Sequence, residues 1–200
     1  MPRVLLLTGT CGSGKTTIAA LLAEHATWIH INEDLIWHNC FGKNRGQFLS
    51  DEHRVKRRQV HEIVLGQLLQ GLHLGLDVVI DATVHESPPE AYEEYQSLCE
   101  AHAIEWSIRV LHPRLEVAVA RDASRTCWSV GEKGVKELRE EFNKGVLGAE
   151  CYVDNSDETA EETVMRLLNP GAANNCINRS AKRVSYRCLS ASRAPGYTKR

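Results

Sequence analysis

A glycine-rich segment near the start of the chain carries the residues best suited to chemistry. Gly9, Gly14, Lys15 and Thr16 fit the pattern G-x-x-x-x-G-K-[ST]. In that pattern the glycines leave backbone N–H groups free to surround phosphate oxygens, the lysine neutralises phosphate charge, and the threonine hydroxyl ligates Mg²⁺. The segment therefore predicts a site for ATP with Mg²⁺. The predicted ATP-binding residues are Gly9, Thr10, Cys11, Gly12, Ser13, Gly14, Lys15, Thr16 and Thr17.

The residues on either side of this segment support the same interpretation. Residues 4–7 form a run of valine and leucine, as expected of a strand that is buried on both faces. Ile18, Leu21 and Leu22 recur at helical spacing after the loop. A strand, a loop and a helix in this order place the helix N-terminus at the phosphates, where its dipole favours negative charge.

Two acidic residues near the ends of predicted strands are candidates for metal binding and proton transfer. Asp81 follows the apolar run 78–80 at the sheet edge where α/β proteins bind ligands, so we expect it to hold Mg²⁺, directly or through water. Asp34 follows a predicted strand and is positioned to orient an acceptor hydroxyl and take its proton. Glu33 competes for that role, and both aspartates have an alternative role as caps of local structure.

Two arginines are candidates for a lid over the phosphates. Arg121 and Arg125 are four residues apart, so a helix would present them on one face. The glycine-containing segment 130–134 follows and is expected to move, which predicts a lid around residues 121–140. Such cations would close over the γ-phosphate and exclude water, although a solvent-exposed arginine pair is the alternative. Two further cations are weaker candidates for the lid: Lys136 and Arg139.

Predicted strands and helices alternate along the chain, and these elements must position the candidate residues. The predicted strands are 4–7, 27–32, 77–83, 104–111 and 151–154. The predicted helices begin at the glycine-rich segment and continue with 50–73, 87–102, 113–125, a charged helix to about 144, and 157–168, with an exposed loop at 38–49. This alternation predicts a parallel sheet with helices on both faces.

Charge divides the chain into two parts. Residues 170–200 contain seven of the 24 basic residues and none of the 26 acidic ones, which leaves 17 basic and 26 acidic side chains, a net charge of −9, in residues 1–169. We therefore predict one globular domain over 1–169 and a disordered basic tail over 170–200. An acidic domain argues against a broad surface for nucleic acid.

The seven cysteines form an odd, scattered set without a C-x-x-C pair. This pattern is typical of reduced thiols, and it favours neither a disulfide framework nor a zinc site. No apolar run approaches the ~18 residues that a membrane span needs, and the first strand begins too early for a signal peptide. These observations predict a cytoplasmic protein without a membrane partner.

Four segments together carry a resemblance to a known family: 9–17, 31–34, 78–83 and 121–125. They resemble the P-loop kinases around polynucleotide kinase and chloramphenicol phosphotransferase, which are often labelled AAA-type ATP-binding proteins. Over residues 3–168 the resemblance implies an α/β fold, the P-loop NTPase three-layer sandwich, with a five-stranded parallel sheet of order 2-3-1-4-5. It also implies ATP and Mg²⁺, transfer of the γ-phosphoryl group to a hydroxyl, Asp34 as the residue that activates the acceptor, and Arg125 as the lid arginine.

One departure from the family bears on the acceptor. Polynucleotide kinases carry an arginine three residues after the activating aspartate, whereas this chain has Trp37 there. An indole cannot supply a charge-assisted contact to a nucleic-acid phosphate. The sequence therefore favours a hydroxylated small-molecule acceptor. A nucleotide-dependent switch and a 5′-hydroxyl nucleic-acid kinase are the alternatives, and the sequence does not predict the oligomeric state.

Overall fold

The computed structural model describes residues 1–25, 27–42, 50–84, 90–126, 128–144 and 147–169. Three predicted features lie wholly or partly outside these residues: the basic tail over 170–200, the start of the helix at 87–89 and most of the loop at 38–49.

Five parallel strands form one sheet of order β2-β3-β1-β4-β5. They are β1 (Arg3–Gly9), β2 (Trp28–Asn32), β3 (Asp77–Asp81), β4 (Glu105–Leu111) and β5 (Tyr152–Val153). The predicted order 2-3-1-4-5 is therefore confirmed. Because β1 is central, its carboxyl end lies between the ends of β3 and β4, and Gly9 is in register with Leu111.

Helices cover both faces of the sheet. They are α1 (Lys15–Ala23), α2 (Glu33–Phe41), α3 (Asp51–His73), α4 (Glu90–Ala101), α5 (Leu115–Ala123), α6 (Gly131–Asn143) and α7 (Ala160–Leu168), with a short 3₁₀ helix at Ala149–Cys151. Apolar residues of α2, α3 and α4 pack on one face of the sheet, and those of α1 and α7 pack on the other. This arrangement confirms the predicted three-layer sandwich.

The side chains of β1 serve both cores because successive residues of a strand point to opposite faces. Val4 and Leu6 join the core beneath α2, α3 and α4, whereas Leu5 and Leu7 join the core beneath α1 and α7. All four are buried. The continuous apolar run in the sequence is therefore the result of burial on two faces, as predicted.

Helix α2 is the main element that the sequence prediction missed. It begins after Asn32, whose side-chain oxygen accepts a hydrogen bond of 2.8 Å from the backbone N–H of Leu35. It places Trp37 in the core, where the indole is 2% exposed and packs against the rings of Phe41 and His53 at centroid distances of 5.4 and 5.1 Å. The residue that stands in place of the family's arginine is therefore a core residue.

The predicted glycine-containing segment 130–134 is helical from Gly131, so α6 begins earlier than predicted, and movement of this segment stays a prediction. Helix α6 begins at Gly131 because the buried carboxylate of Asp122 satisfies the backbone at this end. Oδ2 of Asp122 accepts hydrogen bonds from the Ser129 hydroxyl at 2.6 Å and from the N–H groups of Val130 and Gly131 at 3.1 Å each. Helix α5 ends at Ala123, before the lid arginine.

The last helix begins later than predicted. Thr159 is its N-cap and forms a capping box with Glu162, in which each side chain accepts a hydrogen bond from the other residue's backbone N–H. Asp157, the predicted cap, instead accepts two hydrogen bonds, of 2.6 and 2.7 Å, from the guanidinium of Arg114. The correct cap is distinguished by the glutamate that follows it three residues later.

The cysteines only partly follow the prediction. Cys11, Cys40 and Cys99 are free thiols. Cys151 is disulfide-bonded, so the expectation of wholly reduced cysteines is wrong at this position. Within the described ranges, every helix is too short or too polar to cross a bilayer.

Candidate active site

The loop between β1 and α1 owes its shape to glycines. Gly12 and Gly14 have φ angles of 74° and 96°, in the left-handed region that other residues rarely adopt. A Cβ added at Gly12 would overlap the backbone carbonyl oxygen of Ala118 in α5. At Gly14 the nearest atom to an added Cβ is Nδ2 of Asn155, at 3.6 Å. The loop therefore packs directly on the backbone of α5 and lies beside the chain that follows β5.

Gly12→Ala should separate the loop from α5. We expect it to lower the free energy of unfolding by about 2 kcal/mol, because it combines an unfavourable φ with an overlap against backbone. Urea denaturation measures this change. Gly75→Ala is the matched control, since Gly75 also has a φ of 74° but has open space around its added Cβ. Equal losses in the two variants would show that φ, and not the packing against α5, determines the effect.

Lys15, the first residue of α1, lies against the loop. Its Nζ donates hydrogen bonds to the carbonyl oxygens of Gly9 at 2.9 Å and Thr10 at 3.0 Å, and the residue is 8% exposed. An ammonium group has three N–H donors, so these two bonds leave one for a ligand. The next two residues, Thr16 and Thr17, are exposed.

A cavity of about 370 Å³ lies against the loop, within the size range of small-molecule sites. It brings together residues from four parts of the chain: the loop and α1, α2, the end of α5, and the segment after β5. The predicted site residues that line it are Cys11, Gly12, Gly14, Lys15, Thr16, Thr17, Asp34, Arg121 and Arg125. Gly9, Thr10 and Ser13 are buried and are not part of its lining.

Asp81, the predicted Mg²⁺ residue, is not part of the cavity lining. It ends β3 in register with Leu7 of β1, at the same edge of the sheet as the loop. The residue is 5% exposed, and its Oδ2 accepts a hydrogen bond of 2.9 Å from the Asn32 side chain and lies 3.4 Å from Nε2 of His30. The structure thus holds the carboxylate in place through β2.

The two lid arginines are held on different parts of the cavity wall. Nη2 of Arg121 donates a hydrogen bond of 3.1 Å to the backbone carbonyl of Asn155. Nη1 of Arg125 lies 3.7 Å from Oδ1 of Asp122, the residue that also caps α6. The weaker lid candidates are elsewhere: Lys136 pairs with Glu132 in α6, and Arg139 donates to the backbone carbonyl of Pro113.

Four charged groups surround the Cys11 thiol inside this site. Burial raises its pKa, and the carboxylates of Asp34 and Asp122 raise it further, whereas the cations of Lys15 and Arg125 lower it. Because the net pKa is raised, the thiol is neutral at physiological pH. These charges come from α1, α2, α5 and the residues directly after α5.

Comparison with known proteins identifies the family of this chain. The chain matches the sequence profile of the AAA domain family over residues 4–143. The chain belongs to this AAA domain family. A search of curated protein sequences finds no match.

Solved structures share the fold of this AAA domain. A gluconokinase from Sinorhizobium meliloti 1021 has a TM-score of 0.64 and 18% identity, covering 86% of this chain and 92% of that one. A sugar kinase from Janibacter has a TM-score of 0.62 and 18% identity, covering 87% and 96%. The shikimate kinase from Acinetobacter baumannii, in complex with shikimate, has a TM-score of 0.59 and 18% identity, covering 86% and 94%. The resemblance to P-loop kinases is therefore confirmed at the level of the fold.

The AAA domain also has a cavity wall that sequence analysis missed. It is formed mainly by the segment after β5, with one residue that follows α5: Asn155, Glu158, Thr159, Ala160 and Ser124. Glu158 is held there by a hydrogen bond from the Thr163 hydroxyl and by an ion pair with Arg166, both in α7. The only signal in the sequence is a run of polar residues directly after the last strand, at the sheet edge where α/β proteins bind ligands.

The residues present fit a nucleotide with Mg²⁺. The hydroxyls of Thr10 and Ser13, both within the loop, are buried and have no hydrogen-bond partner among the described residues, and a Cβ added at Gly14 would meet no atom nearer than 3.6 Å. In the described part of the chain, no group of three or more His, Cys, Asp or Glu side chains is placed to hold a metal ion. Mg²⁺ suits such a site, because it usually takes one or two protein ligands and completes its shell with phosphates and water.

Proposed function

We propose that this AAA domain protein is a kinase that transfers the γ-phosphoryl group of ATP to a hydroxyl of a small molecule. The observation that carries the proposal is that Lys15, Asp34 and Arg125 line one cavity. A phosphate-binding cation, a candidate base and a second cation are the groups that phosphoryl transfer to a hydroxyl requires.

The glycine-rich loop and the wall after β5 bind different parts of the nucleotide. The backbone N–H groups of residues 9–17 and the ammonium of Lys15 bind the phosphates. Arg121, which the sequence predicted for the lid, receives the base end together with Glu158, Thr159 and Ala160 of the cavity lining. The Thr16 hydroxyl would hold Mg²⁺, with Asp81 acting through water because its Oδ2 already accepts from Asn32. When bound, Mg²⁺ supplies neutralisation of charge on the phosphate oxygens.

Asp34 is the base in this proposal. It stands in the first turn of α2 and lines the cavity, whereas Glu33 does not. The carboxylate accepts the proton of the acceptor hydroxyl as the hydroxyl oxygen bonds to the γ-phosphorus. The bond between that phosphorus and the bridging oxygen breaks, and ADP leaves. Arg125 neutralises charge on the transferred group, and the walls of the cavity exclude water, so that transfer to the acceptor is favoured over hydrolysis.

Three observations favour a small acceptor. Trp37 is buried in the core and offers no cation to a polynucleotide. The net charge of −9 on residues 1–169 opposes a polyanion. The solved structures with this fold include kinases named for sugars, gluconate and shikimate.

A screen of hydroxylated metabolites, antibiotics and short oligonucleotides for ADP release tests the proposal. We expect ADP to form in proportion to a small-molecule acceptor and to stay near background without one. Turnover without an acceptor, raised by a protein partner, would indicate a switch ATPase instead. Oligonucleotide phosphorylation with strongly salt-dependent binding would indicate a 5′-hydroxyl nucleic-acid kinase.

A further inference from the structure

Asn155 joins the last strand of the sheet to the phosphate-binding loop. It follows β5 closely, is 3% exposed, and lines the cavity. Its side-chain Nδ2 donates a hydrogen bond of 3.0 Å to the backbone carbonyl oxygen of Ser13. The bond connects residues 142 positions apart in the chain, so it depends on the complete sheet.

The orientation of the Asn155 amide follows from this bond. A carbonyl oxygen only accepts hydrogen bonds, so the NH₂ group of the amide, and not its oxygen, must face Ser13. The backbone carbonyl of Asn155 accepts the bond from Arg121. One residue therefore contacts the loop through its side chain and the arginine through its main chain, and a substitution cuts the first contact alone.

The contact with Ser13 fixes the direction of a donor in the loop. The carbonyl of Ser13 and the N–H of Gly14 belong to the same peptide unit, which is planar, and in the trans form they point in opposite directions. Holding the Ser13 oxygen against Asn155 therefore turns the Gly14 N–H to the opposite side. This N–H is one of the donors that the glycine-rich motif provides for phosphate oxygens.

Without this contact the peptide unit would be easy to reorient. Gly14 has a φ of 96° and no side chain, so its backbone rotates at little steric cost. The nearest atom to an added Cβ, at 3.6 Å, is the Nδ2 of Asn155 itself. The restraint on this part of the loop thus comes from a residue outside it.

We propose that Asn155 is a positioning residue, which fixes the direction of the Gly14 N–H for binding phosphate. It thereby sets how much the phosphates of a nucleotide add to the affinity that the base and sugar provide. The inference rests on the proposed function, in that it assumes an adenine nucleotide as the ligand. It assigns to Asn155 a role in phosphate binding that its place beside Arg121, at the base end, does not by itself suggest.

The test compares the affinities of the full chain for Mg·ADP and for adenosine, measured by calorimetry and by displacement respectively. In Asn155→Ala we expect the dissociation constant for Mg·ADP to rise about tenfold, since one charge-assisted hydrogen bond is misplaced. The constant for adenosine should stay within about twofold, because the main-chain contact to Arg121 remains. Ser156→Ala is the matched control: its hydroxyl bonds the Arg114 N–H and Asp154 in the same segment but does not touch the loop.

Asn155→Asp keeps the shape of the side chain and serves if the alanine variant does not fold. It replaces the donor with an oxygen facing the Ser13 carbonyl, so we expect a loss of Mg·ADP affinity at least as large. An unchanged ratio of the two constants in a folded variant, or an equal loss for both ligands, would overturn the inference while the proposed function stands. Absence of Mg·ADP binding to the wild-type chain would overturn both.

Discussion

Lys15→Met is expected to lower kcat/KM for phosphoryl transfer by about a thousandfold or more. The ammonium is the cation fixed closest to the loop, where bonds to the carbonyls of Gly9 and Thr10 hold it in place. Removing one preorganised electrostatic contact to the transferring group typically costs a factor of about 10² to 10³, and the loss of ground-state ATP binding adds to this. Initial rates with the acceptor found by the screen, together with calorimetry of Mg·ATP, measure the change.

Lys144→Met is the control for loss of a positive charge, since Lys144 is an exposed residue at the end of α6 that pairs with Glu141. It should leave the rate unchanged. The unfolding midpoint of Lys15→Met must also be measured, because two hydrogen bonds within the loop are lost. Unaltered Mg·ATP affinity in the folded variant would refute the assignment of Lys15 to the phosphates.

Asp34→Asn is expected to lower kcat by a factor of about 10² to 10⁴ and to leave the affinity for ATP nearly unchanged. The amide has the size and polarity of the carboxylate and can still orient a hydroxyl, but it cannot take the proton. The carboxylate lines the cavity together with the loop, so the effect should fall on transfer and not on folding. Single-turnover transfer and calorimetry separate the two quantities.

Glu33→Gln distinguishes the two acidic residues at the start of α2. Glu33 is not part of the cavity lining and lies close enough to the buried Tyr95 to raise the pKa of its hydroxyl, an effect that adds to the larger one of burial. We expect this variant to transfer phosphate at a rate close to that of the wild-type chain. If Glu33→Gln were slow and Asp34→Asn remained active, the base would be Glu33 and not Asp34.

The phosphate-binding loop and its two flanking elements could be predicted because several local signals agree there. The pattern from Gly9 to Thr16, the apolar run before it and the helical spacing after it all lie within a short stretch of chain. The buried stripe of α3 was equally clear, since Val60, Val64 and Leu68 recur every four residues. The strand order came from the resemblance to P-loop kinases, and not from the periodicity of any segment.

Helix α2 was missed because its buried positions show no helical repeat. Nine residues provide only two fully buried positions, Ile36 and Trp37, which are adjacent and show no helical repeat. Asn32 is both the last residue of β2 and the N-cap of α2, and a sequence pattern does not reveal which backbone N–H its side chain accepts from. Asp34 therefore lines the cavity, but the helix that carries it was not predicted, and its catalytic role stays a prediction.

The wall formed by Asn155 and its neighbours was missed for a different reason. Its contacts with Ser13 and Arg121 join segments that are distant in sequence, and they exist only because β5 pairs with β4 at one end of the sheet. Polar residues after a short strand give no local sign of such partners. The beginning of α6 depends in the same way on a carboxylate in α5, so the lid could not be described from its glycines alone.

The central place of β1 has a consequence for synthesis of the protein. The nucleotide loop leaves the ribosome before most of the sheet is made: β1 gains its neighbours only when β3 and β4 have been translated, and the loop meets Asn155 later still. We expect ribosome-bound chains that stop before β5 to bind no nucleotide. Ligand capture would then report that the polypeptide is complete through its last strand, and a truncated product would not compete with the finished protein for ATP.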